Sequence, residues 1–389
     1  MANRIGRLLP LSFISFCFCV GISIGIFVRF GQVQRSQAAT SEEAIPLLPA
    51  YQPEYTPLPT FEEPESDYIT IQAVGDVIPG TNYPNNRLPR DRNQLIPKSV
   101  RAYLQRADLL LGNLETSLTT YPYSSKDINK GQIFAFRSPP AYAQLFADVG
   151  FDVFNMANNH ALDFGKAGFR DTVNNLAAVG IETLGHKNQI LYKQVRNVPV
   201  AMIGFTTYDI YNSMHDLEKA KALVEEARAN ANLVIISMQA GAEGTGAMHV
   251  KNQTEYFYGE DRGNSMKFAR SMIDAGADLV IGHGPHVPRA MEIYKGKLIA
   301  YSLGNFLGYR TLSTKDETGY SMILEAKMNS YGELVGSKII PVRMSRQGIP
   351  HIDQRFTTVS LLRYLNKNAF PDKPMKINKK GEIVLANIK

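Results

Sequence analysis

Gly276-Ala277-Asp278-Leu279-Val280-Ile281-Gly282-His283-Gly284-Pro285-His286-Val287 decides the fold. Leu279 to Ile281 is a continuous aliphatic run, as expected of a strand buried on both faces. The run follows a helical stretch, Asn264–Ala275, and Gly276 sits where a helix C′ residue belongs. A cluster of Gly, His and Pro closes the unit. The unit recurs along the chain. Apolar runs are predicted as strands at Ile69–Val74, Asp108–Leu111, Val153–Ala157, Val198–Ile203, Leu233–Ser237 and Leu298–Ser302. Helical stretches fall at Ser99–Arg106, Ala141–Val149, Ala167–Val179 and Asp216–Ala229, and Gly150 and Gly180 follow two of them. Alternating strand and helix argues for an α/β domain whose helices cover the sheet. Met322–Lys327 and Lys338–Val342 flank Asn329-Ser330-Tyr331-Gly332 and read as a hairpin, and one more helix is expected near Ser360–Leu365.

Ligands in open α/β sheets bind outside the carboxyl ends of the strands. The strand runs here lead into Gly75-Asp76, Gly112-Asn113-Leu114-Glu115, Asn158-Asn159-His160 with Asp163 and Gly165, Gln239-Ala240-Gly241-Ala242-Glu243, the His283/His286 pair, and Gly304-Asn305-Phe306. Taken singly, each is weak, because an Asp after a strand is usually a helix cap or turn residue. Together they form a set of hard oxygen and borderline nitrogen donors, suited to Zn, Mn, Fe or Mg. A carboxylate shared by two such ions holds them ~3.5–4 Å apart, where they polarise a phosphoryl or acyl oxygen. A histidine just outside can then protonate the leaving group.

These motifs, with Ala157 to Gly165 and Tyr301 to Phe306, resemble the CapA-type proteins of bacterial capsule and poly-γ-glutamate biosynthesis, from about Tyr68 to Val342. The resemblance implies one domain, similar to the calcineurin-like metallophosphatases: a sandwich of β-sheets flanked by helices. It implies Asp76, Glu115, Asn159, His283 and His286 as ligands of a divalent metal (Mn, Zn or Fe). It also implies His160 as the leaving-group acid and Glu243 as a further site carboxylate. The chain departs from the phosphatases at Asp76-Val77-Ile78, where Asp-x-His is usual. It departs from the CapA pattern at Gln239, where a histidine is usual and where an amide oxygen is a much weaker ligand. Arg289, Asn305 and His249 are candidate substrate contacts, Arg289 being equally readable as a salt-bridge partner. His186, His215 and His351 read as structural or surface residues.

The whole chain has 389 residues and a net charge of +6. That length allows one large domain or two ordinary ones. No heptad, collagen period or 20–50-residue repeat occurs, which excludes coiled coil, collagen and solenoid. Leu8 to Val28 is 21 residues without a charge, flanked by Arg4, Arg7, Arg29 and Arg35. A helix of that length just spans a bilayer core of ~30 Å. The reading preferred is a signal anchor over residues 1–31, and a cleaved signal peptide ending near Ser36-Gln37-Ala38 is the alternative. Either way the main domain is expected outside the cytoplasm, in the first case as a single-pass membrane protein. Cys17 and Cys19, the chain's only cysteines, lie in this segment, so neither a disulfide scaffold nor a cysteine zinc site is expected. Residues 32–67 carry six of the 21 prolines and read as an acidic linker. Residues 1–30 carry three Arg and no acid, and residues 31–67 carry one Arg and seven acids, which leaves +9 for the domain from Tyr68 onward. The expected domain is 68–345, with a basic C-terminal extension over 346–389. Its charge suits an anionic cell-surface polymer. Motifs for nucleic-acid binding are lacking. The expected role is metal-dependent hydrolysis or transfer in anionic-polymer synthesis, alongside other capsule-synthesis membrane proteins. The alternatives are a non-catalytic polymer-binding assembly or export factor, and a general phosphoesterase.

Overall fold

The computed structural model describes residues 68–131, 133–372 and 375–384. The expected anchor and acidic linker lie outside the described residues. Among the described residues no helix is long and apolar enough to cross a membrane.

Two sheets face each other. The first runs Pro350–Ile352, Leu334–Met344, Tyr320–Met328, Ile69–Ile78, Leu109–Leu114, Val153–Asn155, Glu182–Leu184, with Asn305–Gly308 also paired to the end of Ile69–Ile78. The second runs Met291–Tyr294, Lys297–Ala300, Leu279–His283, Leu233–Gln239, Val198–Thr206, Leu191–Val195. In the first sheet the strands from Ile69–Ile78 to Glu182–Leu184 pair in parallel, and those from Pro350–Ile352 to Ile69–Ile78 pair antiparallel. In the second the central strands are parallel and an antiparallel pair closes each edge.

The unbroken aliphatic runs are explained by burial of both sheet faces. Ile69, Ile71 and Leu111 of the first sheet meet Met202, Ile235 and Leu279 of the second between the layers. The alternate residue Leu110 packs outward against Leu145, Phe146 and Val149 of the Tyr142–Val149 helix. On the far side, Val234, Ile236 and Val280 pack against Val224 and Ala227 of Leu217–Asn230 and against Phe268 and Met272 of Ser265–Asp274. Truncating one of these fully buried aliphatics removes about 2–5 kcal/mol. The helix signals are literal. The Asp216 and Asn264 side chains accept the Lys219 and Lys267 N–H groups as N-caps. Gly150, Gly180 and Gly276 take positive φ, of 102°, 82° and 117°, where the chain turns away.

The two sheets share one core, so the described residues form one domain. Residues after 345 differ from the expected extension. Pro350–Ile352 adds an edge strand to the first sheet. The Thr357–Ala369 helix sends Val359 and Leu362 into the inter-sheet core. The helix expected near Ser360–Leu365 is present, and three apolar positions spaced along one of its faces (Val359, Leu362, Leu365) hold this basic segment against the domain.

Candidate metal centre

The polar residues that follow the strands converge because of register. Across the first sheet, Asn305 pairs with Asp76, Asp76 with Asn113, and Asn113 with Asn155. Across the second, His283 pairs with Gln239 and Gln239 with Thr206. Apart from Asn305, which opens its strand, each row lies at the carboxyl end of its parallel strands, and side-chain contacts join the two.

Asp76 is fully buried. Its Oδ1 accepts from Asn113 Nδ2 at 2.9 Å, and its Oδ2 lies 3.0 Å from His286 Nδ1. Burial alone would raise its pKa, but the hydrogen bond and charge of His286, aided by His283, hold it below the usual carboxylate range. Glu115 is also fully buried, and its Oε1 accepts from Gln239 Nε2 at 2.9 Å and Asn113 Nδ2 at 3.1 Å. Its Oε2 has no hydrogen-bond partner. Burial, then the Asp76 charge, push this carboxyl up to about 8.

His286 sits between the acids at a positive φ of 59°, a strained setting for a side chain of this size. Asn305 donates its Nδ2 to Thr318 O, which turns its Oδ1 toward His286 Nδ1 at 2.8 Å. Nδ1 therefore carries the hydrogen, and Nε2 faces Glu115 Oε2 at 3.9 Å and Glu243 Oε2 at 3.8 Å. Burial opposes protonation of this ring, but Glu115, Asp76 and Glu243 hold its pKa up at about 10. Glu243 is partly exposed and is steered by Arg262, whose Nη2 lies 3.0 Å from Glu243 Oε1. His283 Nδ1 stands 3.8 Å from Asp76 Oδ1 with no hydrogen-bond partner, and burial pushes this ring down to about 4.

Asn113 ties the site together. Its Oδ1 accepts from Asn155 and Asn158 Nδ2, both at 3.1 Å, while its Nδ2 faces Asp76, Glu115 and Gln239 Oε1. Asn158 is buried and also accepts the His160 N–H, so it fixes the backbone from which His160 projects. Asn159 is nearer the surface, and its Oδ1 accepts from Gln239 Nε2 at 3.3 Å. His160 is 7% exposed, with Nδ1 2.9 Å from Asp163 Oδ2 and the Phe136 ring 4.8 Å from its own. Lys126 pairs with Asp163 Oδ1 at 2.6 Å. Burial lowers the His160 pKa against the pull of Asp163.

The family described as "Bacterial capsule synthesis protein PGA_cap" matches residues 70–310 of this sequence. The chain belongs to that family. Over 263 residues it is 27% identical to the PGA biosynthesis protein CapA of Bacillus subtilis (strain 168), covering 62% of this chain and 63% of the relative. Over 270 residues it is 26% identical to the capsule biosynthesis protein CapA of Bacillus anthracis, covering 62% and 60%. The match thus spans less than two thirds of those relatives. Among solved structures it is similar to a 5'-nucleotidase precursor from Thermus thermophilus, at 14% identity and a TM-score of 0.41, covering 76% of this chain and 58% of that one.

The donor set of this PGA_cap chain fits a divalent cation. One ligand atom each from Asp76, Glu115 and His286 lies within 4.8 Å of the others, and Glu115 Oε2 is a buried oxygen with no hydrogen-bond partner. Of the residues expected at the site, Asp76, Glu115, Asn159, His283, His286, Glu243 and Asn305 are brought into one connected cluster, and His160 is linked to it through Asn158. Two expected substrate contacts are not. Arg289 is fully buried in a two-pronged pair with Glu255, at 2.9 and 2.7 Å, and also donates to Ala242 O. It props the loop that carries Glu243. His249 is exposed, its ring 6.0 Å from that of Tyr364 on the C-terminal helix. Arg262 and Lys126 carried no signal in the sequence. Each comes from a loop that only the fold returns to the site.

Proposed function

We propose that this chain acts in the synthesis of an anionic cell-surface polymer of the poly-γ-glutamate or capsular type, through a divalent-cation site that hydrolyses or transfers the polymer or its precursor. The observation that carries this reading is Glu115 Oε2, fully buried, unpartnered and directed at His286 beside Asp76. Family membership supports the polymer class, as do the names of the curated relatives. Asp76, Glu115 and His286 would hold Mn, Zn or Fe, with His283 beside them. Such an ion supplies polarisation of an acyl or phosphoryl oxygen and a hydroxide near neutral pH.

The chain's own groups handle protons and orientation. Asp163 Oδ2 accepts from His160 Nδ1, so Nε2 is the atom left to take a proton and return it to a departing group. The depressed pKa leaves His160 neutral at the start of that cycle. Asn158 fixes its backbone, Phe136 packs against its ring, and Lys126 neutralises Asp163. Glu243, steered by Arg262, forms the partly exposed rim. The domain's positive charge favours polyanion capture. The N-terminal apolar segment serves as the anchor, holding the domain outside the cytoplasm.

The test is direct. Purified full-length protein, supplied with Mn²⁺, Zn²⁺ or Fe²⁺, is expected to retain metal and to shorten or transfer poly-γ-glutamate. Activity in His160→Ala should fall about 10²–10⁴-fold. Failure to bind any of the three ions would sink the metal-dependent reading. Salt-sensitive polymer binding with bound metal and no turnover would instead favour the assembly-factor reading.

A further inference from the structure

The two oxygens of Glu115 have different company. Oε2 is bare and faces His286. Oε1 accepts from two amides, Gln239 and Asn113. We infer that this centre holds one cation rather than a pair, and that the Gln239 amide occupies the place between Glu115 and Asn159 that a second ion would need. The inference rests on the cation-site reading above and sharpens it.

The orientation of the amide is what excludes a cation, and the network fixes it. An amide's oxygen and nitrogen are told apart only by their partners. Asn155 and Asn158 both present Nδ2 to one end of the Asn113 side chain, so that end is its oxygen. The other end of Asn113 is then the NH₂ group, facing Gln239 at 3.0 Å, and this end of Gln239 must be its Oε1. Gln239 Nε2 is left pointing at Glu115 Oε1, 2.9 Å away, and Asn159 Oδ1, 3.3 Å away. Flipping Gln239 would set donor against donor at Asn113 and acceptor against acceptor at both other contacts.

An ion bridged by Glu115 and bound by Asn159 would need these two oxygens as ligands. Here both already accept hydrogens from one amide nitrogen, whose dipole presents its positive end to the same space. A neutral amide NH₂ has no lone pair to offer a metal. Gln239 cannot easily swing aside. It ends a fully buried strand, and Gly284, at φ 104°, is pressed so close that an added Cβ would lie 2.9 Å from Gln239 Cδ. The cation-ready atoms lie together on the other side of Glu115, in the Asp76, Glu115 and His286 group.

The experiment counts ions on the intact full-length chain, stripped with a chelator and titrated with Mn²⁺. Wild type is expected to bind one equivalent with the paramagnetic spectrum of an isolated Mn²⁺. Gln239→His and Gln239→Glu each replace the donor with a ligand, and each should raise the count from one to two, with a spectrum showing exchange coupling between neighbouring ions. Two equivalents in wild type would overturn the one-cation inference while leaving the metal site standing. No binding in wild type would overturn both. Should one variant fail to fold, the other decides. A folded variant that still takes one equivalent overturns the assignment of the exclusion to Gln239. The wild-type count is read independently of either variant.

Discussion

One strand, Leu279–His283, has a buried acid near each end, and the two are satisfied in opposite ways. Before it, Asp278 is 1% exposed and every oxygen is committed: Oδ2 accepts from Arg228 Nη1 and Val234 N, both at 2.9 Å, and Oδ1 from Lys297 Nζ at 2.5 Å. Beyond it, Asp76 and Glu115 meet His283 and His286, and Glu115 keeps a bare oxygen. Asp278 is neutralised by cations attached to the chain. At the other end the neutralising charges are protons, one on Glu115 and one on His286, and protons can be exchanged for a metal. A buried carboxylate is thus evidence of a site only when its counter-charge is removable.

Exchanging the fates of the two acids gives the largest expected effects. Asp278→Ala strands Arg228 and Lys297 and unpairs the Val234 N–H, and loss of a partner from a buried ion pair costs about 3–5 kcal/mol. Both cations retain some access to water, which places the loss near the lower figure. Metal binding should survive wherever the variant is folded. Asp76→Asn should do the reverse, abolishing the rise in melting temperature that Mn²⁺ or Zn²⁺ gives the wild type at a smaller cost to the metal-free protein than Asp278→Ala, because the amide keeps an acceptor for Asn113 and the His286 ring can give up its proton where Arg228 cannot. Chemical denaturation and thermal shift with and without metal read both. If Asp76→Asn costs the metal-free protein more than Asp278→Ala does, or if Asp278→Ala removes metal binding, the contrast is wrong.

Proton exchange gives the next effect. At pH 7 the Glu115 carboxyl, at about 8, and the His286 ring, at about 10, both hold protons. A cation bound through Glu115 Oε2 and His286 Nε2 must displace them, so loading should release about two protons per ion. Calorimetric titration in buffers of different ionisation enthalpy measures that number, and a value near zero refutes the proposed ligands. The metal-free protein carries the same signature. Glu115 is raised above its ordinary value, so its contribution to stability is present at pH below the unfolded pKa and is lost as pH rises to about 8. His286, also raised, contributes below its ordinary value and loses that contribution as pH climbs through about 10. Glu115→Gln keeps the shape and removes the first loss, so its melting temperature should decline less than the wild type's between pH 5 and 8, by about a few degrees. Equal slopes would show that Glu115 is not held protonated.

Much of this is legible in the amino-acid sequence. Strand positions could be read because double-faced burial leaves unbroken aliphatic runs, and Asp76, Glu115 and the His283/His286 pair because they directly follow such runs. The amide network was only half legible. Asn113 and Gln239 stand in the right motifs, but their work depends on which atom faces which neighbour across two sheets. Arg262 and Lys126 were invisible, since neither lies beside a strand run. Arg289 was readable both as a substrate contact and as a salt-bridge partner, since three residues of separation from His286 place it near the site in sequence, and its side chain turns inward to pair with Glu255. Proximity along a chain says nothing about direction once the backbone turns, and His286 itself sits at such a turn.

His249 provides the smallest expected effect and the cleanest control for that lesson. It follows the Gly241–Gly246 loop and so reads as a neighbour of the site, yet its ring is exposed and packs only edge-on against Tyr364. An exposed edge contact of this kind is worth no more than about 0.5 kcal/mol. His249→Ala should therefore leave stability, Mn²⁺ stoichiometry and polymer turnover within error of the wild type. Its effect should also add to that of Asp278→Ala, since His249 shares no partner with that acid. A loss of polymer affinity in His249→Ala at unchanged metal content would instead extend the substrate track from Glu243 along the loop toward the C-terminal helix, and would make that helix part of the binding surface as well as of the core.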